Sequence, residues 1–278
     1  MKLRTFLPLL TYPDASTQES VANAAAVARL LGADLHALAI EADIPQVSNA
    51  LSRVLLNLPE MILDAEKLST HNGAKLLAAA KSAASAEALV VTTSETKTQL
   101  ALIGDVAAGH ARYFDLALIG WTPETPAIRM MAEAVVFGSG RPVILMPDAV
   151  SIGKLDRICI AWDGSRVAAR AAADARLLLE RASAITVVTV TDEKPLKEKD
   201  TGERLAESLR AGGLKADFSA IQAEDGPIAE TLQRHAADLG ADLLVMGGYG
   251  HSRLRDFVLG GATEGVLADL RLPVLVSH

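Results

Sequence analysis

The sequence repeats itself across its two halves, and this repeat constrains the fold more than any other feature. Phe114–Gly120 corresponds to Ala241–Gly247, since each has a polar residue near its start, an apolar run and a final glycine. Further along, Arg141–Met146 corresponds to Leu272–Ser277, and the segment between the matching passages is four residues shorter in the first half. Self-similarity over this distance indicates that one supersecondary pattern occurs twice.

Each half is predicted to alternate strands with helices. In the second half the predicted strands lie at 157–162, 187–190, 216–221, 242–246 and 274–276, and the segments between them have helical spacing. Continuous apolar strands alternating with helices are typical of a parallel sheet covered on both faces. In the first half, Pro8 lies within the first apolar run and predicts a distorted or edge strand.

The repeat predicts two domains, 1–148 and 154–278, joined by a linker near 147–154. The first domain has extra residues near 45–87, which are predicted to form a long helix or a helix pair. The two halves are expected to pair as an internal pseudo-dimer through 142–146 and 273–277, because short apolar strands would otherwise be exposed edges. A homodimer of the whole chain is a further possibility.

Composition excludes several classes of protein. Half of the residues are hydrophobic and 22% are charged, which excludes a disordered chain. A net charge of -7 argues against nucleic acid or an anionic membrane surface as a partner. The one cysteine, Cys159, excludes an internal disulfide, and no apolar run reaches the roughly 18 to 20 residues of a membrane span. A cytoplasmic location is expected.

Two loops of the second half carry the residues best suited to a ligand, because open parallel sheets bind ligands beyond the carboxyl ends of their strands. Asp163 follows the first strand of this half, where it either meets a ligand or, like Ser165, caps the next helix. Gly247, Gly250 and the pair at 260–261 follow the fourth strand. Glycine backbones approach anions closely and present N–H groups to phosphate oxygens. A flexible glycine-rich connection is the alternative.

These residues resemble a motif of the universal stress protein (UspA) family. Nucleotide-binding members carry Gly-x2-Gly-x9-Gly-Ser/Thr, and this chain has Gly247-x2-Gly250-x9-Gly260 with Gly261 at the Ser/Thr position. The resemblance covers the second half and, less closely, the first, so it implies a tandem member of the family. It implies two Rossmann-like (adenine nucleotide alpha hydrolase-like) domains, each an α/β fold with a parallel five-stranded sheet flanked by helices.

The resemblance also implies which residues of the second half bind a nucleotide. The adenosine would be contacted by Asp163. The adenine pocket would be lined by Ala161 and Val190, and the ribose would be flanked by Met246 and Gly247. The phosphates would be held by the backbone N–H groups of Gly250, Gly260, Gly261 and Ala262. His251 and Arg253 are further candidate phosphate contacts. The implied ligand is ATP or another adenine nucleotide, with or without Mg²⁺, and Gly261 is expected to weaken triphosphate binding because it lacks a hydroxyl.

The first half departs from the motif. Pro123 and Pro126 follow Gly120 and have no N–H to offer, and the shorter segment removes the place of the second glycine. Thr11–Asp14 only loosely resembles the acidic turn of the second half. The first domain is therefore expected to be a degenerate, structural copy.

The favoured hypothesis is a stress-response protein that binds an adenine nucleotide and acts as a non-enzymatic binding or signalling module. The alternatives are a slow ATP hydrolase and a nucleotide-free scaffold or carrier of a small apolar molecule. The sequence contains no P-loop, dinucleotide-binding, Gly-x-Ser-x-Gly or zinc-site pattern. It also offers no general base or paired carboxylates for Mg²⁺ beside the glycines, so no catalytic residue and no metal ligand is predicted.

Overall fold

The structure is a computed structural model, and it describes residues 2–45, 58–87, 89–192, 200–223, 226–248 and 262–278. Contacts within the chain divide it into two compact units, Met1–Ser139 and Gly140–His278. Both units are parallel or mostly parallel sheets flanked by helices, so the predicted α/β class is confirmed. Among the described residues, no helix combines the length and the apolar character needed to cross a membrane.

The first unit alternates strands and helices along the chain. Its strands are β1 (Arg4–Leu10), β2 (Asp34–Ala42), β3 (Val91–Thr98) and β4 (Leu116–Trp121). Its helices are α1 (Gln18–Leu30), α2 (Leu58–Glu87), α3 (Ile103–Ala111) and α4 (Pro126–Gly138), with a 3-10 turn at Leu100–Leu102 before α3. The sheet order is β3-β2-β1-β4, and the described pairings are parallel.

The strand that contains Pro8 lies inside this sheet. β1 pairs with β2 over its whole length and with β4 at Thr5 and Phe6, so it is an internal strand and the expectation of an edge strand is wrong. Alternate residues of a strand direct their N–H and C=O groups to opposite neighbours. The carbonyl of Arg4 accepts from Asp115 beside β4, so the nitrogen of Pro8 faces the same side. The β1–β4 pairing ends before Pro8, and the missing N–H therefore breaks no ladder.

The predicted insertion near 45–87 forms one long helix over its described part. α2 spans 30 residues, and residues 46–57 of the predicted insertion lie outside the described residues. Its buried side is a stripe at helical spacing that includes Ser69, Gly73, Leu76 and Ala80. This stripe packs on α1, β2 and β3.

The second unit begins with a strand that the repeat assigns to the first half. Its strands are β5 (Val143–Pro147), β6 (Arg157–Ala161), β7 (Ala184–Val190), β8 (Ala216–Ile221), β9 (Leu243–Gly247) and β10 (Val274–Ser277). Its helices are α5 (Arg166–Asp174), α6 (Arg176–Leu179), α7 (Thr201–Ala211), α8 (Ile228–Asp238) and α9 (Ala262–Ala268). The sheet order is β5-β10-β9-β6-β7-β8.

The last strands of the two halves pair with each other, as predicted. β5 and β10 are antiparallel, with Leu145 opposite Val274 and Val143 opposite Val276, and these side chains are buried. The other described pairings in this sheet are parallel. β5 thus packs with the second unit although it belongs to the first half of the repeat, and the domain limits 1–148 and 154–278 stay predictions.

Candidate functional site

The carboxyl ends of β6, β7 and β9 lie side by side at one edge of the second unit. Ala161 is in register with Val188 on β7, and Ile160 is in register with Val245 on β9. Because the strands are parallel, the end of β6 is level with Met246. Val190 follows two residues further along β7. The register therefore brings together three residues predicted to bind adenosine: Ala161, Val190 and Met246.

The loop after β6 turns the chain into α5 and carries Asp163. The Asp163 Oδ1 atom accepts a hydrogen bond of 2.9 Å from the Ser165 N–H. Ser165 is the N-cap of α5, since its Oγ accepts from the Ala168 N–H at 3.2 Å. The capping alternative is thus confirmed for Ser165. Asp163 closes the turn beside it, and its half-buried carboxylate stays at the carboxyl edge of the sheet.

Trp162 fastens this loop to two other elements. Its N–H donates to the Val188 carbonyl at 2.8 Å, and its carbonyl accepts from the Thr189 Oγ1 at 2.9 Å. Its indole Nε1 donates to the main-chain carbonyl and the Oγ1 of Thr201, each at 3.0 Å. The sequence predicts only that Trp162 packs at a strand end. Thr201 lies 39 residues further along the chain, and no short-range pattern points to this contact.

Gly247 ends β9 against the first turn of α5. A Cβ atom at this position would lie 2.6 Å from the Ala168 nitrogen and from the Val167 carbonyl carbon. The glycine predicted to flank the ribose therefore also permits a close backbone approach. This packing role was missed from the sequence because it depends on a helix that lies about eighty residues earlier.

The two described ends of the glycine-rich segment meet at the same edge. The Thr263 Oγ1, in the first turn of α9, donates to the Gly247 carbonyl at 3.2 Å, which places Ala262 beside the end of β9. The Gly248 N–H donates to the Ser277 carbonyl at 2.8 Å, and His278 Nδ1 donates to the Gly248 carbonyl at 2.9 Å. The remaining predicted phosphate contacts lie outside the described residues and stay predictions: Gly250, His251, Arg253, Gly260 and Gly261.

The corresponding edge of the first unit is covered by α2. The Oγ atoms of Thr11 and Ser69 are 2.6 Å apart, and Ser69 Oγ also accepts from the Ala42 N–H at 2.8 Å. Asn72 Nδ2 donates to the Thr11 carbonyl at 3.0 Å. These bonds occupy the backbone at the carboxyl ends of β1 and β2. After β4, Pro126 already starts α4, so the chain has no room for a glycine loop.

A cavity lies at the opposite, amino edge of the second unit. It has a volume of about 710 Å³, and Lys154, Gln233 and Asp242 are among its lining residues. The Asp242 carboxylate accepts from two backbone N–H groups and pairs with Lys154 at 3.2 Å. The Gln233 side-chain amide donates to the Asp269 carbonyl and accepts from the Arg271 N–H. These buried polar groups are satisfied by the protein itself, so the carboxyl edge is the better candidate for a ligand site.

The described residues offer little for metal or thiol chemistry. Within them, no three His, Cys, Asp or Glu side chains gather in a group that could hold a metal ion. Burial raises the pKa of the Cys159 thiol to about 11, although the charge of Arg157 acts in the opposite direction. A thiol with this pKa is protonated at neutral pH and is a poor nucleophile.

The sheet of the second unit has an acidic loop after the central strand β6, and α9 starts beside the neighbouring strand β9. These features define a doubly wound α/β domain that can bind a ligand at the carboxyl edge of its sheet. Residues 154–278 match the model of the universal stress protein family. In this half, the chain is similar to universal stress proteins.

Comparisons with individual proteins give the same likeness. Universal stress protein Slr1230 from Synechocystis is 27% identical over an alignment of 172 residues, and the match covers 58% of this chain and 57% of that protein. The chain thus matches a little over half the length of this relative. A solved universal stress protein from Archaeoglobus fulgidus covers 99% of this chain, and the match covers 97% of its own chain, with 16% identity and a TM-score of 0.70. A protein of unknown function from Pseudomonas aeruginosa PAO1 matches 99% of this chain and 92% of its own, with 17% identity and a TM-score of 0.56. At these identities the two structures show the fold alone.

Proposed function

We propose that this chain binds an adenine nucleotide, ATP, ADP or AMP, at the carboxyl edge of its C-terminal half and acts as a non-enzymatic module in a stress response. The observation that supports this most directly is the placement of the acidic loop. Asp163 lies at the edge where Ala161, Val190 and Met246 come together. A half-buried carboxylate beside apolar strand ends suits a ligand with a flat apolar base and a sugar that donates hydrogen bonds.

The phosphate side of the proposed site rests on the family resemblance together with the ends of the glycine-rich segment. Gly247 and Ala262 lie at the same edge as Asp163, since Thr263 bonds to the Gly247 carbonyl. The N–H groups of Gly250, Gly260 and Gly261 are proposed to hold the phosphates, with His251 and Arg253 as further contacts. Mg²⁺ is proposed only as a companion of the triphosphate.

One nucleotide per chain is expected. In the first unit Ser69 and Asn72 of α2 already bond to the backbone where a nucleotide would contact β1 and β2. Removing α2 from these contacts would leave buried polar groups unpaired, which costs about 1 to 3 kcal/mol for each group. The first half is therefore proposed to be structural.

Calorimetric titration with ATP, in the presence of Mg²⁺ and of EDTA, tests the proposal. Gly250→Val should abolish binding because a side chain takes the space of the phosphates, and Asp163→Ala should weaken it by about 1 to 3 kcal/mol. The matched controls are Gly153→Val, where a Cβ meets no atom within 4 Å, and Asp217→Ala on the exposed side of β8. Both controls should bind like the unmodified chain. Full binding by Gly250→Val would show that the phosphate site lies elsewhere.

Two further measurements separate the alternative functions. Acid release and chromatography of the purified protein should yield adenine nucleotide, whereas a nucleotide-free scaffold would yield none. Hydrolysis should be slow, because Asp163 is held by the Ser165 N–H and no other described carboxylate is placed on the loop after β6. Steady-state phosphate release faster than about 1 per second would instead indicate an enzyme.

A further inference from the structure

The loop that carries Asp163 is joined to the start of α7 by one side chain. Trp162 immediately precedes Asp163, and both of its backbone hydrogen-bonding groups are bound to β7, through Val188 and Thr189. Its indole N–H is shared between the two oxygens of Thr201, the first residue of α7. The Trp162 donors are thus used by the protein and do not face a ligand.

The start of α7 is itself fixed in place. Gly202 packs so closely on the sheet that a Cβ atom would lie 2.3 Å from the Phe218 ring and 2.5 Å from the Thr189 Oγ1. The same Thr189 hydroxyl donates to the Trp162 carbonyl. On the other side, a Cβ at Gly164 would lie 2.8 Å from the Thr201 Oγ1. The loop of residues 162–165 is therefore held between β7 and the first turn of α7.

We propose that Trp162 is a positioning residue for the nucleotide, and that its bond to Thr201 holds Asp163 in the orientation that binds the adenosine. This inference rests on the proposed function. Trp162 acts through its neighbour, since its own polar groups are occupied. The affinity for nucleotide consequently depends on α7, an element that contributes no residue to the predicted site.

A double-mutant cycle tests this role. Trp162→Phe keeps an aromatic ring but removes the indole N–H, and it should weaken ATP binding about tenfold. Thr201→Val removes one of the two acceptors and leaves the carbonyl, so its effect should be smaller. If Trp162 acts through Asp163, the double variant Trp162→Phe/Asp163→Ala should bind no more weakly than Asp163→Ala alone. A loss of packing unrelated to Asp163 would instead add to the effect of Asp163→Ala.

The chain offers a matched control and a spectroscopic signal. Trp121 is the other tryptophan, and it is buried in the first unit. Trp121→Phe should leave affinity unchanged and make Trp162 the sole tryptophan, whose emission should then change as ATP is added.

The outcomes distinguish the inference from the function on which it rests. Absence of ATP binding by the unmodified chain would overturn the proposed function and the inference together. Binding by the unmodified chain with equal affinity in Trp162→Phe, or with additive losses in the cycle, would overturn the inference alone. All affinities are compared at a temperature where circular dichroism shows each variant folded.

Discussion

Gly247 occupies a position where backbone meets backbone. Its replacement by Ala would place a methyl group 2.6 Å from main-chain atoms of Val167 and Ala168, and neither of these atoms can rotate away. Gly247→Ala should therefore lower the free energy of unfolding by about 1 to 3 kcal/mol, the usual cost of overpacking. Urea unfolding measures this change, with Gly153→Ala as a control that meets open space. Equal midpoints for the two variants would contradict the close approach.

Cys159 links stability to pH at the alkaline end. Its pKa is raised from the ordinary 9.0 to about 11 by burial, so the folded chain holds its proton where the unfolded chain has lost it. The contribution of the protonated thiol to the free energy of unfolding is fully present below pH 9 and is lost as the pH rises toward 11. Comparison with Cys159→Ala isolates this effect, because other alkaline groups titrate in both proteins. Between pH 8 and 10.5, the free energy of unfolding of the native chain should fall by about 1 to 2 kcal/mol relative to that of Cys159→Ala. No shift would indicate an exposed thiol.

At the scale of single residues, the sequence predicts types of contact better than partners. It identifies Asp163 and Ser165 as candidates for capping and binding because both follow a strand and precede a helix. It cannot identify the bond between Trp162 and Thr201, because this bond depends on where α7 begins relative to β6. The side chains that matter most for the geometry of a site are often contributed by elements distant in sequence.

Among the secondary structure elements, α2 has the clearest energetic signature. The Ser69 side chain is fully buried and is bonded to Thr11 and to the Ala42 N–H. Ser69→Ala should lower the free energy of unfolding by about 1 to 3 kcal/mol, because the Ala42 N–H loses its partner and the Thr11 hydroxyl keeps only its bond to the Ile40 carbonyl. Ser82→Ala, an exposed change on the same helix, should be nearly neutral or slightly stabilising, since Ala has the higher helix propensity. Chemical denaturation of both variants measures the difference, and equal effects would show that α2 does not close this edge.

The existence of α2 could be predicted from the sequence, but its position could not. Residues 45–87 have no counterpart in the second half, and their apolar spacing indicates a helix. Ser69 and Asn72 are small polar residues on the same side as the buried stripe, and this was the available signal that the helix binds backbone rather than a purely apolar surface. These residues do not indicate which strand ends α2 contacts, because its hydrogen-bonding partners on loops are determined only by the folded sheet.

For the molecule as a whole, β5 and β10 decide which fragments are stable. A fragment of residues 154–278 lacks β5, so it exposes the buried strand Val274–Ser277 as an open edge. It should therefore form a homodimer or precipitate. A fragment of residues 140–278 keeps the pairing between β5 and β10 and should associate less than the shorter fragment. Size-exclusion chromatography with light scattering compares them, and a well-behaved monomer of residues 154–278 would show that β10 does not need β5.

The repeat predicted the alternation of strands and helices throughout the described chain, because each element is encoded by a local apolar pattern. It did not predict that β1 is an internal strand, since Pro8 tolerates this position only where the pairing with β4 has already ended. The sequence also did not show that β5 folds with the residues that follow it. Which strands pair with each other depends on the whole sheet, and a local sequence pattern does not contain both strands of a pair.

The boundary of the sequence repeat and the boundary of the folded unit differ by one strand, β5. This difference affects which recombinant genes keep paired strands together. A genetic crossover placed between the repeats, near residue 150, would pass on β10 without the strand it pairs with. A crossover just before Gly140 would transmit both strands together. Recombinant genes that exchange the second half of this protein are therefore expected to survive selection when their joint lies ahead of β5.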